Sequence, residues 1–74
     1  MNGKYDESYK ASRRNQIIIS KIISATKNIT GTDVSAADIY YLKYQLLKQD
    51  DSYELSSMND AEFQSKITAI IGGW

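Results

Sequence analysis

The chain has 74 residues with no Cys, no His and no Pro, and 9 Lys and Arg balance 9 Asp and Glu. That length supports one domain. The missing Cys and His remove disulfides, thiol catalysis, His-dependent triads and the usual zinc ligands. A hydrophobic fraction of 42% is too high for a disordered chain, yet no apolar run approaches the ~18 residues that a membrane span needs.

Charge is unevenly placed. Residues 1–31 carry six cations against two carboxylates, and residues 32–74 carry three against seven. Either the halves neutralise each other in the fold, or they offer surfaces of opposite sign to a charged partner. Met1 to Tyr5 have no signal-peptide core, since Asp6 and Glu7 follow. A cytoplasmic chain with no membrane association is the expectation, with residues 1–7 loose.

The first predicted helix covers about residues 10–29, with Ser8 or Ser12 as its cap. Ile18, Ile22, Ala25 and Ile29 recur at helical spacing and mark an apolar face, which Ile19 and Ile23 widen. Ile is β-branched, so Ile17 to Ile23 also suits a strand. A strand would leave the helical period unexplained and would lack a pairing partner. Lys10, Arg13, Arg14, Lys21 and Lys27 are expected on the opposite face, with Ile17 exposed among them. Asn28 to Asp33, including Gly31, connect to the next element.

The second predicted helix covers 36–49. Ser35 and Asp38 read as a capping box, and Val34 with Ile39 as a hydrophobic staple. Ile39, Leu42 and Leu46 share a stripe, with Ala36 and Leu47 beside it. Tyr40 and Tyr44 lie at the margin of that stripe, where they would close the edge of the core. Tyr41 points away, beside Gln45 and Lys48. Asp50 to Ser57 reads as a loop with at most one short turn, from which Leu55 dips into the core.

The third predicted helix covers 60–71. Asn59 caps it, Glu62 completes the box, and Met58 staples onto Phe63. Phe63, Ile67, Ile70 and Ile71 form its apolar face, and Gly72 stands where a left-handed cap is wanted. The fold class is therefore all-α: a small three-helix domain, its first two helices paired as a hairpin, with a homodimer as an alternative to a self-sufficient core.

No motif carries catalytic chemistry. The paired carboxylates Asp50, Asp51 and Glu54 read as a solvated loop, and the same segment lacks the Gly and the ligand spacing of a calcium loop. No cofactor is expected. Two surplus surfaces remain. The cationic stripe of Lys10, Arg13, Arg14, Lys21 and Lys27 suits an acidic protein, phosphates of a nucleic acid, or plain solvation. Tyr40, Tyr41, Tyr44 and Lys48, with Ile17 and Trp74, suit a protein interface, because tyrosine adds contact area at low entropy cost. A helix-turn-helix reader is disfavoured by acidic starts at Asp33, Asp38, Asp60 and Glu62, which phosphates would repel. The expected function is a non-enzymatic protein-interaction module: an adaptor, an inhibitor or a small assembly subunit, of a kind frequent among phage proteins. The alternative is a nucleic-acid-binding accessory protein.

Overall fold

Three side-chain caps set the helix starts in the computed structural model, which describes residues 7–73, with side chains from residue 9 onward. Ser35 accepts from the Asp38 N–H, Asp51 from the Glu54 N–H and Asn59 from the Glu62 N–H. Each satisfies an amide that the first helical turn leaves without an internal partner. Four helices follow in order: α1 (Glu7–Thr30), α2 (Ala36–Gln49), α3 (Ser52–Ser57) and α4 (Asp60–Ile71). The described residues contain no strand, so the isoleucine run of α1 is helical.

The count of helices differs from the sequence expectation by one. Ser52–Ser57, read as loop, is a six-residue helix. Its cause is local: the Asp51 carboxylate caps it at 2.8 Å, and Leu55 anchors it with no exposed surface. The start of α1 also differs. Among the described residues α1 is already helical at Glu7, so Ser8 and Ser12 lie within the helix rather than at its start. At its far end, Gly31 takes φ +78° and donates to the Lys27 carbonyl at 2.8 Å, a left-handed cap that an L side chain would strain. The cap expected at Gly72 is instead right-handed, with φ −61°.

The core is one cluster drawn from all four helices. Ile18, Ile22 and Ala25 come from α1, Leu42 and Leu46 from α2, Leu55 from α3, and Phe63 and Ile67 from α4. Ile29, Ile39, Met58, Ile70 and Ile71 close its edges. α1 is the axis. It spans 24 residues, roughly 36 Å, and packs against α4, α3 and α2 in turn. Its one buried polar side chain in the core region, Thr26, donates to the Ile22 carbonyl at 2.8 Å, so its hydroxyl is satisfied. The core does not absorb every predicted member. Ile23 is 44% exposed, and Leu47 of α2 is 36% exposed.

A second tie crosses the base of the bundle. Asp50, at the end of α2, stands 3.1 Å from Lys66 of α4, and both side chains are about three-quarters covered. The buried Asp50 Oδ2 has charge contact there without a well-aligned hydrogen bond. Asp50 and Asp51 are thus engaged in holding helices, one by ion pairing and one by capping.

Candidate functional site

The cations of α1 do not share a face. At ~100° per residue, Arg14 and Lys21 stand within about 60° of Ile18, near the core, while Arg13 and Lys27 stand about 140–180° away. The structure uses the first pair internally. Lys21 Nζ donates to the Met58 carbonyl at 2.7 Å and to Asp60 Oδ1 at 3.3 Å, and lies 5.6 Å from the Phe63 ring centroid. Its side chain is 19% exposed. Of these contacts the carbonyl bond matters most, because Asp60 is 99% exposed and an ion pair at such a site is strongly screened. Arg14 is half-buried and donates through Nε to Ser52 Oγ at 3.3 Å, joining α1 to the first turn of α3.

The remaining three are exposed. Lys27 pairs with Asp33 at 3.3 Å, an exposed contact between the end of α1 and the following loop. Lys10 is engaged by a neighbour, and Arg13 stands at the rim of a groove between α1 and α4. Ile17 is half-buried in that groove rather than exposed in a cationic arc. The groove has a volume of about 400 Å³, with Phe63 at its base, and Asn28 reaches across to Gln64 at 3.4 Å. A continuous basic stripe is therefore absent from α1.

The outward side of α2 has the opposite character. Tyr40 is 58% exposed and Tyr44 62%, so neither closes the edge of the core as the sequence suggests. Tyr41 is also exposed. At ~100° per residue, Leu47, Tyr40, Tyr44 and Lys48 fall within an arc of about 100°, opposite Ile39, Leu42 and Leu46. Ala37 lies inside the same arc and is exposed. Lys43 Nζ sits 5.5 Å from the Tyr40 ring centroid, and Lys48 Nζ sits 5.2 Å from that of Tyr44. Each ammonium covers one side of an exposed ring. The face is thus a ridge of tyrosine and leucine spaced by four and three residues, flanked by two cations.

Two members of this site escape sequence reading. Leu47 is easily assigned to the core by its hydropathy. Lys43 matters only once its contact with Tyr40 is known. Trp74, a candidate in the sequence, lies outside the described residues. Among those residues, no group of three or more His, Cys, Asp or Glu is placed to hold a metal ion, and no helix is long and apolar enough to cross a membrane. No protein-family model, curated protein or solved structure matches the chain.

Proposed function

We propose that the chain is a non-enzymatic protein-interaction module, acting as an adaptor, inhibitor or assembly subunit, and that its docking surface is the outward face of α2. One observation carries this reading: α2 is apolar on both sides. Ile39, Leu42 and Leu46 fill the core, while Tyr40, Tyr44 and Leu47 meet solvent on the far side. A surface helix normally has one apolar stripe turned to the core and polar residues opposite, so a second apolar ridge on the solvent side marks a contact surface. Tyrosines clustered at the centre of a patch are the residues that anchor interfaces.

The nucleic-acid alternative draws less support. Phosphate binding rests on several cations placed along one surface. On α1, Arg14, Lys21 and Lys27 already hold Ser52, Met58 with Asp60, and Asp33.

Affinity capture with three forms of the protein tests the proposal. Wild type and Tyr53→Ala, altered at a 70% exposed tyrosine on α3, should capture the same partner, which Tyr40→Ala/Tyr44→Ala should lose. Loss of an anchor of this kind weakens binding by about 30-fold or more. Equal capture by all three forms would refute the α2 site.

A further inference from the structure

Resting on that reading, we infer that the α2 face takes an acidic amphipathic helix of a partner protein: an apolar stripe flanked by Asp and Glu. The argument starts from how the lysines are paired. Lys21, Lys27 and Lys66 each have a carboxylate within 3.3 Å. Lys43 and Lys48 have none among the described residues; their ammonium groups rest on the Tyr40 and Tyr44 rings. An ammonium carries three donors, and stacking on a ring leaves them available. The only acid within α2 is Asp38, which lies beside Gln45 on the flank away from Tyr40 and Leu47 and is half-buried. So, although residues 32–74 are acidic as a whole, their tyrosine face is cationic.

Shape selects a helix as the occupant. Tyr40, Tyr44 and Leu47 form a ridge at i, i+4 and i+7, and such a ridge packs into the groove beside a second helix. Carboxylates bordering that second helix's apolar stripe would meet Lys43 on one side and Lys48 on the other. The two lysines stand about 140° apart around α2, one on each side of the ridge.

A second copy of this chain fits poorly. Pairing α2 with itself would bring Lys43 and Lys48 of one copy against those of the other, with no carboxylate on the face to neutralise them. The area is also small. A face of 14 residues is roughly 21 Å by 10 Å, on the order of 200 Å², against about 800 Å² per partner in a stable dimer. A single helix laid on such a strip, in a weak, transient and salt-sensitive contact, needs less area than a stable dimer does.

The test uses two synthetic helical peptides with the same leucine stripe, one flanked by Glu and one by Lys, titrated into the full chain and followed by anisotropy and by amide chemical shifts. The Glu-flanked peptide should bind, with shifts centred on residues 36–49. Its affinity should fall about tenfold in Lys43→Gln/Lys48→Gln, and again on raising salt from about 50 to about 500 mM. The Lys-flanked peptide should bind about tenfold more weakly or not at all. Equal affinity for both peptides, or no effect of the lysine substitutions, overturns the acidic-partner inference. If Tyr40→Ala/Tyr44→Ala then still abolishes partner capture, the α2 interaction reading survives. Tyrosine-dependent self-association in sedimentation would overturn the inference in favour of a second copy.

Discussion

Two flanks of this molecule look alike in sequence and behave differently in the fold. Residues 10–27 of α1 offer five cations around an isoleucine, and residues 40–48 of α2 offer three tyrosines and two lysines. The α1 flank is split, and part of it is drawn inward: Lys21 holds the turn before α4, Arg14 holds the start of α3, and Ile17 is half-buried, while Lys10, Arg13 and Lys27 stay exposed. The α2 flank stays out, with its rings and ammonium groups contacting one another and solvent. A surplus of charge is weak evidence for a binding face, because long cationic side chains reach carbonyls and rings close to the core. A pair of aromatics on the far side of a helix is stronger evidence, because Tyr40 and Tyr44 lie outside the core and their ring contacts are with lysines of their own helix.

If the α1 flank is structural, its substitutions should unfold the protein, and the largest effect belongs to its apolar anchor. Phe63 is 1% exposed and forms the α4 side of the seam with α1. Phe63→Ala should cost about 3–5 kcal/mol in chemical denaturation, most of the stability of a domain this small. Lys21→Ala comes next, at about 2 kcal/mol, since it removes both the bond to the Met58 carbonyl and the stem packed over Phe63. Lys21→Met, which keeps the stem, should recover part of that loss. A Lys21→Ala protein as stable as wild type would return Lys21 to the surface and reopen α1 as a binding stripe.

Asn59 sharpens the same comparison at smaller scale. It caps α4 through the Glu62 N–H at 2.8 Å, one residue from the carbonyl that Lys21 holds. Asn59→Ala should cost about 1 kcal/mol. Combined with Lys21→Ala, the two losses should fall short of additive by about 0.5 kcal/mol or more, because both side chains position one turn. Strict additivity in a double-mutant cycle would mean that Lys21 does not hold that turn.

What could be read from the sequence follows from the range of each cause. The bounds of α2 and α4 match the expected 36–49 and 60–71, because the capping residues sit within three positions of the amides they satisfy. α3 was legible by the same grammar: Asp51 and Glu54 have the spacing of a capping box, masked by their reading as part of an acidic loop. The apolar stripe of α1 was legible from period alone, although Ile23 was not, since a helical wheel does not say how far the neighbouring helices extend around it. The role of Lys21 depends on a contact 37 residues away, beyond any local pattern. Its angular place near Ile18 was the one available clue. For α2, the sequence identified the tyrosines but put Tyr40 and Tyr44 at the edge of the core, although at ~100° per residue they stand about 100–160° from Ile39, Leu42 and Leu46, which already places them outside.

The smallest predicted effect decides most between the two flanks. Tyr44 is 62% exposed, and its ring contact is with Lys48 of the same helix. Tyr44→Ser should therefore shift stability by no more than about 0.5 kcal/mol, the usual range for surface positions. The exposed cation–π contact contributes about 0.5–1 kcal/mol at most, and removing a bulky aromatic from solvent offsets part of it. The same substitution on a structural residue would register as a clear fall in the denaturation midpoint, as Lys21→Ala should. A stable Tyr44→Ser protein that loses its partner separates binding from folding at a single residue. An unstable one would place Tyr44 in the core after all and leave α2 with one apolar side, which removes the observation on which the docking surface rests.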